Sequence, residues 1–320
     1  MPDDSVTQPT VPTSPHEPGF SWGFLHPRYL GTWLLVGLVG VAFVVPNSWR
    51  YALGGWVGDR FHNLNAKRRG IARINIDMCF TDLSEDERAE MVREHFRSYG
   101  RSVLDLGLIW WASDKRLKSL FTINGLERLS ERIDRGESVL IITPHAAGLD
   151  LGGIMTSRYV PCVAMMKALP NPIIDWLITS GRRRYNSDIW LRDAGLRPLI
   201  KSLKSNRVVF YMPDEDFGTR NSVFAPFFGV PTSTLTTVGR MAKIAGVDVI
   251  PCYSRIEPGG AGYTVDIDPP LENFPSGDDV ADATAMNASL EDGIRRAPAQ
   301  YMWTLRWFKT RPDGEAAPYD

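Results

Sequence analysis

The spacing of apolar positions changes several times along this chain, and each change marks a different kind of element. Residues 1–20 hold five prolines among Ser, Thr and Asp with no apolar period, which predicts a disordered tail. From Tyr29 to Trp49 the chain then runs 21 residues without a charge. At about 1.5 Å rise per residue such a helix reaches across a hydrocarbon core of roughly 30 Å. Tyr29 and Trp33 at one end, and Trp49, Tyr51 and Trp56 at the other, suit the two membrane interfaces. Residues 21–49 therefore read as a membrane anchor. Pro46 leaves open a shorter helix that dips into one leaflet, and a buried core helix is the other alternative. A cleaved signal peptide fits poorly, because the preceding segment is long and acidic and no A-x-A site follows the run. Arg50, Arg60, Lys67, Arg68, Arg69 and Arg73 follow the run, while Arg28 is the one basic residue before it. That bias predicts a body on the cytoplasmic side.

Beyond the anchor the spacing turns helical. The segment 84–112 opens with Ser84 and Glu87, a capping box, and continues with Met91, Phe96, Tyr99, Val103 and Leu106 on one face. Gly100 and Gly107 count against a single unbroken helix. From about residue 120 short apolar runs alternate with helical stretches. Strands are predicted at 138–144, 162–166, 207–213, 247–254 and 263–267. Helices are predicted near 171–184, 195–205, 233–245 and 279–308, the last interrupted by Pro298. The alternation predicts an α/β fold: a mixed sheet flanked by helices. One domain over 50–315 with a helical N-terminal extension, and a tail at 316–320, completes the organisation.

Composition narrows the chemistry. With 43% apolar and 23% charged residues the chain is a folded protein, and a net charge of −1 argues against a nucleic-acid binder. Cys79, Cys162 and Cys252 form no CxxC pair, and no HExxH, P-loop, GxSxG or EF-hand pattern occurs. Charge is segregated, however. Residues 158–207 hold ten Lys/Arg against three Asp, and 257–292 hold nine acidic residues and no basic ones. The basic segment suits an anionic partner; two solvated faces that neutralise each other are the alternative.

The stretch VLIITPHAAGLDLGG places His145 where a strand leaves the sheet, the usual ligand-binding edge of open α/β folds. Asp150 follows five residues later. On one continuous helix the two would point about 140° apart, so they meet only if His145 lies on the turn and Asp150 in the first helical turn. A carboxylate on one imidazole nitrogen leaves the other as a general base. A hydrogen-bonded turn His and a dipole-stabilising Asp are the non-catalytic alternative.

HAAGLD resembles the H-x4-D/E motif of glycerolipid-type acyltransferases. Further stretches resemble the lipid A biosynthesis late acyltransferases, the lauroyl/myristoyl transferases of Gram-negative bacteria. They are LHPRYLGTW (25–33), VVFYMPDEDFG (208–218), the block 222–253 from SVFAPFFGVPTSTLTTVGR onward, and WTLRWFKTRPDGE (303–315). The likeness spans roughly 24–315. It implies acyl transfer from acyl carrier protein to a hydroxyl of a Kdo-bearing lipid A precursor at the inner membrane, among its lipids, with no cofactor. His145 is then the base, Asp150 its orienting carboxylate, and Arg182 the oxyanion or phosphate ligand. Arg183 is a neighbouring candidate for substrate. Asp214 and Asp216, after the 207–213 strand, would bind acceptor sugar hydroxyls or orient an arginine. Phe227 and Phe228 would line an acyl groove, ordinary core being the alternative, and Arg311 would meet anionic lipid. Two carboxylates in D-x-D make no case for a catalytic metal. Rival functions are acylation of a lysophospholipid or a glycosylated phosphoinositide, a thioesterase, and a membrane-tethered binding protein.

Overall fold

The structure, a computed structural model, describes residues 12–319. Two short 3-10 turns lead into α1 (Leu30–Val44), and α2 (Asn47–Leu64), α3 (Ala66–Cys79), α4 (Glu85–Trp111) and α5 (Asp114–Leu120) follow. The rest alternates: β1 (Phe121–Asn124), α6 (Glu127–Asp134), β2 (Val139–Ile142), α7 (Leu149–Ser157), β3 (Cys162–Met166), α8 (Pro172–Arg182), β4 (Ser187–Leu191), α9 (Arg197–Ser202), β5 (Val208–Tyr211). A hairpin, β6 (Ser222–Phe227) and β7 (Val230–Leu235), precedes α10 (Thr237–Ala245), β8 (Asp248–Ile256), β9 (Tyr263–Ile267) and α11 (Asp279–Arg295).

Seven strands form one sheet in the order β1-β9-β8-β2-β5-β3-β4, parallel except for β8 with β9. Its middle strands are buried on both faces, as the unbroken run Val139–Ile142 requires. Leu129, Ile141, Val208 and Ile250 fill one side; Leu140, Leu199, Val209 and Met241 fill the other. The expected α/β fold, a mixed sheet between helices, is what the chain adopts, and one apolar N-terminal helix stands as the candidate membrane anchor.

α4 is one helix of 27 residues, begun by the expected capping box: Glu87 N–H donates to Ser84 Oγ, and Ser84 N–H to Glu87 Oε2. Gly100 and Gly107 do not break it. They are where neighbours close in: a Cβ at Gly100 would collide with the α2 backbone at Gly54 and Gly58, and one at Gly107 with Phe43 of α1.

Strands β1 and β4 and helix α6 join the expected elements, and several stretches differ from expectation. Pro226, Pro231 and Gly229 hide the β6–β7 hairpin, whose turn holds Phe228 and Gly229 both at positive φ. Helix α11 stops at Arg295 instead of continuing towards 308. The chain beyond it is irregular because Tyr301, Trp303, Trp307 and Phe308, all fully buried, turn different ways into an aromatic core with Phe80, Phe227 and Phe228. Of the expected tail 1–20, residues 1–11 lie outside the described ones, but 12–20 are bound. His16 N–H donates to the Ile189 carbonyl, its Nε2 is 2.7 Å from Asp175, and Phe20 packs on Trp176. At the other end Asp320 is likewise outside the described residues, while Tyr319 docks on Asn75 and accepts from Phe308 N–H.

Candidate active site

Strands β2 and β5 are parallel neighbours in register, Ile142 beside Tyr211. His145 is the third residue past the first and Asp214 the third past the second. Equal offsets from a matched pair bring them together at the carboxyl edge of the sheet. Asp214 Oδ2 accepts from His145 N–H at 2.8 Å, and Asp214 Oδ1 lies 2.7 Å from His145 Nδ1. The carboxylate is sealed, with 1% of its side chain exposed, whereas the imidazole keeps 21%. The C-terminal segment closes the loop from behind: Met302 N–H donates to the His145 carbonyl and Ala147 N–H to the Gln300 carbonyl.

The expected partner of His145, Asp150, is elsewhere. Asp150 sits in the first turn of α7 and forms an ion pair with Arg182 at the end of α8, at 2.7–2.8 Å. The correction has a physical cause. The i+5 geometry lets the two side chains share a cleft, but the β5 edge offers a nearer carboxylate, rigidly held.

Burial disfavours a charged imidazole at His145, yet the Asp214 charge and hydrogen bond outweigh it, Glu215 adds to them, and Arg192 opposes them. The net pKa lies above the ordinary histidine value. With Nδ1 on the carboxylate, Nε2 has no hydrogen-bond partner among the described residues. The Tyr301 hydroxyl is fully buried beside this pair, and burial first, then Asp214, pushes its pKa well up.

Two clefts meet at His145. One, with about 850 Å³ of empty space, runs past Ala147, Asp150 and Arg182 against Ser102, Val103 and Leu106 of α4. The other, about 840 Å³, runs between Phe61, Arg68, Phe96 and the 302–305 segment. Behind the Asp150–Arg182 pair lies an apolar cavity of about 550 Å³ lined by Ile154, Cys162, Met165, Ile189, Phe210 and Met212. Sequence reasoning missed His95, which borders the second cleft. Its Nδ1 lies 3.2 Å from the Ala299 carbonyl, its Nε2 is buried without a partner, and burial holds its pKa down to about 4, so the ring is neutral. Nothing in the helical pattern around His95 distinguishes it from a core position.

The remaining expected site residues are committed elsewhere. Asp216 accepts from Thr310 N–H and Oγ1–H at 2.8 Å and from Gly218 N–H, so it ties the C-terminal segment to the β5 turn, and at 2% exposed it is sealed from sugar. Asp214 is spent on His145. Arg311 is held by Glu315 and the Pro231 carbonyl, and Arg183 by Glu17. Phe227 and Phe228 are core, not groove, because the hairpin turn folds them onto Phe80, Tyr301 and Trp303. Half of the basic run is neutralised as well: beside Arg182 and Arg183, Arg158 pairs with Asp114, Arg192 with Glu215 and Arg207 with Asp188. Among the described residues no group of three or more His, Cys, Asp or Glu stands together to hold a metal. Cys162 is buried, and burial, with Cys252 adding, keeps its thiol protonated.

Residues 17–310 match the model of the bacterial lipid A biosynthesis acyltransferase family. The chain is 35% identical to the lipid A biosynthesis lauroyltransferase of Escherichia coli K12, over 94% of this chain and 99% of that one. It is 34% identical to the same organism's palmitoleoyltransferase (94% and 98%) and 29% identical to its myristoyltransferase (96% and 95%). With such cover from end to end, and a strand-edge histidine between two lipid-sized clefts, the chain belongs to the bacterial lipid A biosynthesis acyltransferases.

Proposed function

We propose that this acyltransferase moves a fatty acyl chain from the thioester of acyl carrier protein to a hydroxyl of a Kdo-bearing lipid A precursor, on the cytoplasmic side of the inner membrane. His145 Nε2 takes the hydroxyl proton as the oxygen forms its bond to the thioester carbonyl carbon. Asp214 holds the ring with Nδ1 protonated and stabilises the imidazolium that results. Arg182, half-exposed above the apolar cavity, faces the developing oxyanion, and Asp150 fixes its direction. The carbon–sulfur bond then breaks, and the thiolate recovers the proton from the imidazolium. A thiolate is a good leaving group, so neither an acyl-enzyme nor a metal or other cofactor is required.

The observation that carries this reading is the His145–Asp214 pair, with Nε2 unpartnered, at the meeting point of two clefts. Two lipid substrates need two apolar channels converging on one base. The cavity behind Asp150–Arg182, lined by Ile154, Met165, Ile189 and Phe210, has the apolar lining an acyl chain of the donor needs. The cleft bordered by His95 is left for the acceptor. The test is acyl transfer by the purified full chain in detergent, with acyl carrier thioester and Kdo-lipid A precursor, read by mass spectrometry. We expect wild type to add one acyl chain and His145→Ala to lose about 10²–10⁴ of the rate. Equal rates for the two, or free fatty acid as the main product, would reject the reading.

A further inference from the structure

Helix α1 has the composition of a membrane span and the attachments of something else. Pro27–Val44 is the one helical stretch among the described residues long and apolar enough to cross a bilayer. Both of its ends, however, are fastened to the same body. At the start, Thr32 Oγ1 accepts from Asn171 Nδ2 at 2.7 Å, Asn171 being the cap of α8, and Trp33 Nε1–H donates to the carbonyl of Phe24, whose ring packs on Trp176 of α8. At the finish, the Asn47 backbone lies against Gly260, and Asn47 Oδ1 accepts from Arg50 and Arg116. Arg50 is buried with Asp105 of α4 at 2.8 Å. Between these ends Val36, Val39 and Ala42 are buried, and Val39, Gly40 and Phe43 meet Gly107 and Trp111 of α4.

The partners of α1 and α2 on α4 fall in one order. Gly40 meets Trp111, Phe43 meets Gly107, Gly54 meets Gly100, and Gly58 meets Arg97. Residues 97, 100, 107 and 111 share one face of a helix, so α1 and α2 run end to end, antiparallel, along a single side of α4. Their outward sides are therefore continuous. That outward surface is apolar: Leu30, Leu34, Leu38, Val41 and Val44 on α1, then Trp49, Leu53, Trp56 and Leu64 on α2, are all exposed. A soluble body does not leave a patch of this kind in water.

We propose that α1 and α2 lie in the plane of the cytoplasmic leaflet, with this face in the lipid, and that no segment from residue 19 onward crosses the bilayer. The surrounding charge identifies a lipid surface as the occupant. Residues 24–76 hold seven Lys/Arg and one acidic residue, Asp59, which Arg93 and Arg97 already engage. Arg28 and Arg60 lie over the rings of Tyr29 and Trp56, and Lys67 and Arg68 are exposed beyond them. Aromatic and cationic side chains together fit a layer of anionic headgroups. α1 has 15 residues and spans about 22 Å, short of the roughly 30 Å of a hydrocarbon core. The far end of the surface, Phe61 and Tyr99, is also a wall of the cleft that reaches His145, so an acceptor lipid can enter sideways from the leaflet.

The test uses two variants of the full chain in its membrane, each with one added surface cysteine. A Cβ at Gly19 or at Gly70 meets nothing within 4 Å, and the three native cysteines are buried. An impermeant maleimide is applied to spheroplasts and to inverted inner-membrane vesicles. We expect Gly19→Cys and Gly70→Cys to label in inverted vesicles alone. Labelling of Gly19→Cys in spheroplasts with Gly70→Cys still restricted to vesicles would overturn the proposal. Labelling of both in spheroplasts alone would keep the in-plane helices and reject the leaflet. A fluorophore at Gly31→Cys, Leu38→Cys and Val44→Cys, quenched by lipids spin-labelled at known depths, gives a second readout. One common depth is expected; Leu38 about 10 Å deeper than the other two would mean a span.

Discussion

Two ion pairs face one cleft, and they are built in opposite ways. His145–Asp214 joins two strand ends. Its carboxylate is sealed from water and hydrogen-bonds both ring and backbone. Asp150–Arg182 joins two helix ends, and about a third of each side chain is exposed. A sealed carboxylate sets the base strength and tautomer of its partner and can do nothing for a substrate. An exposed pair fixes its arginine in direction and leaves the remaining N–H groups open to an incoming oxyanion. On the proposed function the difference gives them separate work: the first pair would tune the base, the second would meet the ligand.

The sharpest way to break that assignment is to neutralise each carboxylate in turn. Asp214→Asn keeps the shape but cannot accept from both the His145 amide and the Nδ1 proton. The ring is then free to flip tautomer, and a loss of about 10³–10⁴ in kcat is expected. The pH profile should move with it. In the wild type kcat/KM is expected to rise as the imidazole loses its proton, with a midpoint above the ordinary histidine value because Asp214 holds the proton on. Without that charge, burial, with Arg192 adding, should outweigh Glu215 and the midpoint fall below it. Asp150→Asn is expected to cost only about tenfold and to leave the midpoint unmoved. Equal shifts from the two variants would show that the pairs share one role.

Much of this architecture was legible from the chain, and the illegible parts have a common cause. The strand-helix alternation after residue 120 and the position of His145 follow from local pattern. Asp214 is also visible as a strand-end residue, but its pairing depends on β2 lying beside β5, a contact across 69 residues that no spacing encodes. Proximity in sequence instead favoured Asp150. Equal offsets past two apolar runs were a usable signal, given the guess that those strands are neighbours. Asp216, Arg311, Phe227 and Phe228 failed as site residues for a related reason. Each sits on one side of a contact with a C-terminal segment of no period, Arg311 within it reaching Pro231 and the other three receiving it, and that segment folds because its aromatic side chains are buried together.

The cavity behind Asp150–Arg182 sharpens the comparison at smaller scale. Gly153 lines it, and a Cβ there meets nothing within 4 Å, so Gly153→Leu fills space without displacing the fold. If the exposed pair guards the donor chain, the leucine should shift products towards shorter acyl groups. Each methylene excluded costs about 0.8 kcal/mol, or about fourfold in preference. Mass spectrometry of products from a mixed-length pool of carrier thioesters reads this directly, and the pH midpoint set by Asp214 should stay where it is. An unchanged chain-length distribution would move the donor to the other cleft.

The smallest effect concerns the protein half of the donor. Half of the cations of the 158–207 segment are paired, but Arg197, Lys201 and Lys204 are exposed, at spacings of four and three, with no acidic partner among the described residues. Such a stripe steers an acidic partner and contributes little once contact is made. Lys201→Glu with Lys204→Glu should raise KM for acyl carrier thioester about three- to tenfold at low salt and leave kcat alone. Because the Debye length falls from about 10 Å at 0.1 M to about 3 Å at 1 M salt, the penalty should shrink with added salt. A small-molecule acyl thioester, with no acidic protein to attract, should show no penalty at all. If it does, the stripe contacts the lipid acceptor instead, and the division of labour across the cleft has to be redrawn from that side.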